Sequence, residues 1–284
     1  MNYEINIRKK PWKITQPQVM GILNCTPDSF FSDSRKQTEK EIAEQACRIV
    51  SEGGTIIDVG GMSTRPGIYK YIGGLDFVDE AEEMRRLRNA LTIVRRECPE
   101  TIVSVDTFRP SVARMSVEEF GADIINDVSE GGVTTLEGVE YTESENIFQE
   151  VARLGVPYIL MSVKPTLAAT LQTFREKTEV LKAYGVKDII LDPGYGFGKS
   201  IEQNYSILSS QQAITELFPD MPLLAGVSRK RMIWQLLDSC PAEALNGTTA
   251  VNMLALLNGA SILRVHDVRE AMETVKIFMQ VRNI

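Results

Sequence analysis

Short β-branched runs alternate with longer amphipathic stretches along almost the whole chain. The runs Val19–Asn24, Thr55–Gly61, Thr101–Phe108, Ile124–Ser129, Tyr158–Val163, Asp188–Gly194, Pro222–Ser228 and Ser261–Asp267 read as buried strands. Helical patterns fill the gaps, among them Glu39–Ser51, Asp76–Arg96, Ser111–Phe120, Glu202–Leu217 and Glu243–Leu257. Gly121-Ala122, Gly155-Val156, Gly185-Val186 and Gly259-Ala260 stand just before strands. A glycine there can end the preceding helix in a left-handed conformation and turn the chain into the sheet. About eight such units predict a single α/β domain, a (β/α)8 barrel over residues 19–284, with residues 1–18 as an extension or hairpin over its bottom. An open doubly wound sheet fits less well, because no Gly-x-Gly-x-x-Gly turn follows the first strand.

The chain has 284 residues, 43% of them hydrophobic and 24% charged, as in a soluble globular protein with a full core. No apolar run approaches the roughly 18 residues that would span a bilayer. Met1 to Lys13 lacks the apolar centre of a signal peptide, so a cytoplasmic location is expected. A net charge of −7 argues against nucleic-acid binding. It leaves room for a small anionic substrate, since a few Arg and Lys in one cleft create a local positive field. Cys25, Cys47, Cys98 and Cys240 have neither Cys-x-x-Cys spacing nor nearby His partners, and read as reduced, mostly packed thiols.

Polar residues gather where the strands end. Asn24 closes the first, Asp58 lies in the second, and Ser63, Thr64 and Arg65 follow it. Asp106, Asn126, Asp127 and Asp192 lie in or near the ends of later strands; Ser228, Arg229 and Lys230 follow the seventh, and Arg264, His266 and Asp267 occupy the eighth. In a barrel these ends converge on one mouth. Asp58, Asp127 and Asp267 are read as structural ties, the remainder as a site with both carboxylates and cations.

Seven segments then resemble dihydropteroate synthase, in that family's order and over nearly the entire chain. They are Asn24-Cys-Thr-Pro-Asp-Ser-Phe30, Asp58-Val-Gly-Gly-Met-Ser-Thr-Arg-Pro-Gly67, Ser104-Val-Asp-Thr-Phe108, Ile125-Asn-Asp-Val-Ser129, Leu191-Asp-Pro-Gly-Tyr-Gly-Phe-Gly-Lys199, Gly226-Val-Ser-Arg-Lys230 and Arg264-Val-His-Asp-Val268. The resemblance implies a homodimeric barrel of folate biosynthesis. It would join 4-aminobenzoate to a hydroxymethyl-dihydropterin diphosphate, releasing pyrophosphate and giving 7,8-dihydropteroate.

The residue types suit that chemistry. A pterin presents an edge of adjacent N–H donors and a ring carbonyl. Asp192 can accept two parallel donors, with Asp106 and Asn126 meeting other edge groups. Lys230 can donate to the carbonyl or a ring nitrogen, and Arg264 offers a plane for stacking. The resemblance assigns these same five positions to the pterin pocket. For the diphosphate, Asn24 suits Mg²⁺, which keeps waters and substrate phosphate oxygens as its other ligands. Arg264 and His266, at i and i+2, share one strand face, while Thr64 and Arg65 follow the second strand as further phosphate partners. Ser228 and Arg231 open a presumptive helix whose amides favour a carboxylate. Phe30, Thr64, Pro66 and Phe197 resemble the residues that wall the aminobenzoate ring.

The sequence departs from the family pattern in three places. Phe31-Ser-Asp-Ser-Arg35 replaces a run into Asp-Gly-Gly, so Asp33 is an inexact match for a loop carboxylate. Met62 stands for a Glu, and Met161-Ser-Val-Lys-Pro-Thr166 lacks the expected histidine and arginine. Two other readings stay open here: a methyltetrahydrofolate-binding methyltransferase module and a non-catalytic pterin-binding paralogue. If the lost histidine served for packing, Ser162→Ala should keep activity within about fivefold, since a solvated or weakly bonded hydroxyl is worth about 1 kcal/mol or less. Lys230→Ala should lose at least about a hundredfold, because it removes a charge from a desolvated pocket. Steady-state turnover of both variants checks this; collapse of Ser162→Ala with its circular dichroism intact would show an unidentified role for that loop.

Overall fold

The computed structural model describes residues 1–25, 39–62, 78–131 and 146–282. Eight parallel strands alternate with helices: β3 (Gln18–Asn24), α1 (Glu39–Ser51), β4 (Ile56–Gly60), α2 (Glu80–Glu97), β5 (Ile102–Asp106), α3 (Pro110–Phe120), β6 (Ile124–Asp127), α4 (Ile147–Leu154) and β7 (Tyr158–Met161). They continue through α5 (Leu167–Tyr184), β8 (Ile189–Asp192), α6 (Ile201–Ser209), α7 (Gln212–Leu217), β9 (Leu224–Ala225), α8 (Arg231–Trp234), α9 (Leu245–Leu257), β10 (Ile262–Val265) and α10 (Val268–Arg282). The sheet order runs β8-β7-β6-β5-β4-β3-β10-β9. A parallel bridge between Leu191 and Leu223, with the Leu191 N–H donating to Pro222 O at 2.9 Å, joins β8 to β9 and closes the cylinder. The predicted (β/α)8 barrel is therefore the observed fold.

Strand periodicity divides the side chains into two sets. Val19, Leu23, Ile57, Val59, Val103, Val105, Ile125 and Leu160 face outward into the large core beneath the helices. Met20, Ile56, Ile124, Ile159, Ile190, Leu224 and Ile262 face inward near the N-terminal strand ends and form a separate cluster. That cluster also takes Ile5, Ile7 and Ile14 from an antiparallel hairpin, β1 (Tyr3–Ile7) and β2 (Lys10–Ile14). The hairpin turns through Arg8 and Lys9 at φ of 51° and 60°. The bottom of the barrel is thus plugged by isoleucines, and chemistry is left to the other end.

Gly121, Gly155, Gly185 and Gly259 all adopt the expected left-handed conformation, with φ of 62°, 67°, 96° and 96°. Of the helix and strand boundaries that differ from expectation, three do so for visible reasons. Helix α2 starts at Glu80, because Asp79 caps it by accepting from Glu82 N at 2.8 Å. The segment 202–217 forms two helices, since the buried Gln211 side chain accepts from Tyr195 Oη at 2.6 Å and donates to Ala255 O and Asn258 O. Strand β9 shrinks to two residues, Pro222 having no N–H to offer a ladder.

Ile14 is fully buried in the plug. Truncating a buried isoleucine to alanine costs about 2–5 kcal/mol. Ile14→Ala should lower stability by that amount in urea unfolding while ligand affinity at the opposite end of the barrel stays within about twofold.

Candidate active site

The inward set changes character toward the C-terminal ends of the strands. Asn24, Asp58, Asp106, Asn126, Asp192, Arg264 and His266 share the parity of the isoleucine plug but lie nearer the C-terminal ends. Arg264 is at the centre. Its Nε donates to Asp58 Oδ2 at 2.6 Å and its Nη2 to Asp106 Oδ2 at 2.9 Å. Asp58 Oδ2 also accepts from Asn126 Nδ2 at 3.2 Å. These bonds leave Asp58 Oδ1, Asp106 Oδ1 and Asn126 Oδ1 buried without a hydrogen-bond partner among the described residues. Burial, opposed by Arg264 and reinforced by Asp58, pushes the Asp106 carboxyl up to about 7. A ligand carrying N–H donors would relieve that cost.

The opposite wall is built by the turn after β8. Asp192 is buried and accepts from Gly194 N at 2.8 Å. Burial raises its pKa, against the pull of Lys230 and Arg264. Lys230 donates to Tyr195 O and sits 4.7 Å from the Phe197 ring centroid. Desolvation pushes its ammonium down to about 7, partly offset by Asp192. Phe197 is half-buried at the mouth rather than in the core. Gly196 has φ of 81°, and a Cβ there would come within 3.0 Å of Lys230 Cδ, so glycine lets the lysine lie across this turn.

At the end of β10, His266 Nδ1 lies 3.0 Å from Ser228 Oγ, which also accepts from His266 N at 3.2 Å. Although the ring reaches solvent at the open mouth, desolvation together with Arg264, Arg229 and Lys230 lowers its pKa to about 4. The imidazole is therefore neutral at pH 7. Asn24 ends β3 with its Oδ1 toward Gly60, where a Cβ would come within 3.2 Å.

The structure brings Asp106, Asn126, Asp192, Lys230, Arg264, His266, Ser228, Asn24 and Phe197 to one mouth. Phe30, Thr64, Arg65, Pro66 and Asp33 lie outside the described residues. Arg231 is exposed and opens a helix of only four residues, so the expected helix-terminus field on a carboxylate is confined to one short turn. Asp127 faces the helices instead, accepting from Tyr158 Oη, Ser129 N and Gly131 N, and Asp267 forms a bidentate pair with Arg229 at 2.8 Å. Both are structural ties, as expected. Asp58 is a tie of a different kind, since it orients Arg264 and Asn126. Its parity with Gly60 and Asn24 was a usable signal.

Lys199, at the end of its glycine-rich turn, also holds more of the site than its sequence suggested. It is buried and donates to Ser162 O, Gly194 O and Phe197 O at 2.9–3.1 Å, with burial pushing its pKa down to about 8. The altered loop after β7 is held from its other side by Glu130, which accepts from Val163 N at 2.7 Å and pairs with Lys164 at 3.2 Å. Met62, in place of a family Glu, packs with Val78 and Phe108.

Residues 20–266 match the model of the pterin binding enzyme family. The Escherichia coli dihydropteroate synthase is 34% identical over 282 residues, covering 93% of this chain and 91% of that protein. The Clostridium beijerinckii enzyme of the same name is 35% identical, covering 91% and 92%. The chain belongs to the dihydropteroate synthase family. Among solved structures, a Yersinia pestis dihydropteroate synthase in a sulfonamide drug complex superposes with a TM-score of 0.85 at 32% identity, covering 99% of each chain. The Xanthomonas albilineans enzyme with 4-aminobenzoic acid gives 0.83 at 30%, covering 100% of each. This full-length likeness to dihydropteroate synthases decides against the methyltransferase module. No helix among the described residues is long and apolar enough to cross a membrane.

Asp192→Asn keeps the side chain's shape but replaces an acceptor with a donor against an N–H edge. A mismatched buried group costs about 1–3 kcal/mol, so calorimetry should record at least a tenfold loss of pterin affinity with unchanged melting. Unaltered binding would remove Asp192 from pterin recognition.

Proposed function

We propose that this barrel mouth binds the dihydropterin diphosphate and 4-aminobenzoate and joins them with loss of pyrophosphate, giving 7,8-dihydropteroate. The observation that carries this reading is a set of buried acceptors, Asp106 Oδ1 and Asn126 Oδ1, with no partner among the described residues, beside Asp192 and two cations. A flat ring with an edge of N–H donors satisfies them. Lys230 donates to the ring's carbonyl or a ring nitrogen, and Arg264 lies against its face. Carbon–oxygen cleavage beside an electron-rich ring is largely dissociative, so the protein's task is to stabilise the leaving charge and align the amine. Arg264 and neutral His266 serve the diphosphate, together with Thr64 and Arg65. The amine of 4-aminobenzoate is already a neutral nucleophile, and no strong base is required. Phe30, Thr64, Pro66 and Phe197 would flank its ring, and Ser228 and Arg231 its carboxylate.

A Mg²⁺ ion fits beside Asn24. Asn24 is half-buried at the end of β3, and a neutral amide oxygen suits a cation that takes its remaining ligands from phosphate and water. Asn24 is the residue that would hold it. When bound, the ion would neutralise charge on the departing pyrophosphate. A homodimer is supported by Leu254 and Leu257 on α9 and Ile277 and Val281 on the adjacent α10, all exposed. A cytoplasmic location agrees with four free thiols.

The test is pyrophosphate release from the pterin diphosphate, which should require 4-aminobenzoate; release that ignores the aromatic acid would overturn the reading. Binding order gives a second check. If Phe30 and Arg65 complete the second site only around a bound diphosphate, 4-aminobenzoate should bind poorly to free protein and well with pterin, Mg²⁺ and pyrophosphate present. Equal affinity in both states would remove that role from Arg65.

A further inference from the structure

We infer that the Ser228 hydroxyl fixes the tautomer of His266 and couples the two anion-binding halves of the site through a single proton. The substrates named in this inference rest on the function proposed above; the Ser–His geometry does not. Ser228 is only 4% exposed, so its hydroxyl proton needs an acceptor inside the protein. One lone pair of Oγ already accepts from His266 N at 3.2 Å. The next polar neighbour is His266 Nδ1 at 3.0 Å. With the proton directed to Nδ1, that nitrogen is an acceptor and the ring proton sits on Nε2. The surrounding cations, Arg264, Arg229 and Lys230, disfavour a second proton on the ring. Free His266 then offers one N–H toward the mouth, the group a diphosphate oxygen needs.

The same hydroxyl is a donor available to a carboxylate arriving over Lys230 and Phe197, and it has only one proton. Once Ser228 turns its O–H to the aromatic acid, Nδ1 keeps the 3.0 Å contact only by carrying a proton and donating it to Oγ. A diphosphate oxygen accepting from Nε2 compensates the added positive charge, and the extra proton comes from solvent. Filling one half-site thereby strengthens the other without any change in the barrel.

His266 is the sole histidine in the chain, so one pair of ring ¹⁵N resonances reports it without assignment. Long-range ¹H–¹⁵N spectra of the free protein should show the Nε2–H tautomer. Ser228→Ala should give averaged ring shifts and about a tenfold loss of pyrophosphate affinity, with Ser228→Thr restoring both. Adding 4-aminobenzoate to the protein loaded with pterin, Mg²⁺ and pyrophosphate should move Nδ1 from an acceptor to an N–H shift. An Nδ1–H tautomer in the free protein, or Ser228→Ala with unchanged spectrum and affinity, overturns the inference. The free-protein spectrum is independent of turnover, so a correct tautomer without pyrophosphate release would fault only the proposed reaction.

Discussion

The mouth of this barrel depends on one largely buried guanidinium held between two carboxylates. Arg264 reaches Asp58 and Asp106 across the interior, and Asp58 in turn fixes Asn126. Desolvating three charged groups is costly, and their attraction repays it only where the geometry is good and the remaining polar atoms find partners. Among the described residues they do not all find them: one oxygen each on Asp58, Asp106 and Asn126 is left over. Burial lifts the Asp106 carboxyl to about 7 in spite of Arg264. A site in this condition is preorganised for a donor-rich ligand, because the ordering and most of the desolvation precede binding.

The same strands carry stability and function at opposite ends. Alternation sends one set of side chains to the helices and the other inward, and the inward set changes from isoleucine to acid, amide and arginine toward the strands' C-terminal ends. The isoleucine plug and hairpin keep the lower half dry and rigid, so the groups above it are fixed by packed β-structure rather than by loops.

The loop after β7 shows how the framework absorbs a change of sequence. It lacks the family's histidine and arginine, yet its backbone is held by Lys199 on one side and Glu130 on the other. Lys199 also bonds two carbonyls of the turn that carries Asp192 and Phe197, so the wall of the site moves with that loop. Glu130 adopts φ of 56°, an uncommon conformation for a side-chain-bearing residue, to reach Val163.

The sequence by itself determined the barrel and the identity of the mouth. Eight apolar runs with glycine-terminated helices leave few ways to bury both faces of a parallel sheet, and period-two alternation puts Asn24, Asp106, Asn126, Asp192, Arg264 and His266 at the strands' C-terminal ends. Such signals are local, set by sterics and by the spacing of neighbouring residues. Only the tertiary structure decided which polar groups meet. The Asp58–Arg264 pair spans 206 positions and the Ser228–His266 pair 38, so nothing in either neighbourhood encodes them. Equally hidden were the break at Gln211, whose side chain bridges two distant elements, and the single turn of α8, where a helix was expected to hold a carboxylate. Hydrogen bonds and charge pairs act at about 3 Å through space. Their partners become visible only once closure of the barrel has set the distances.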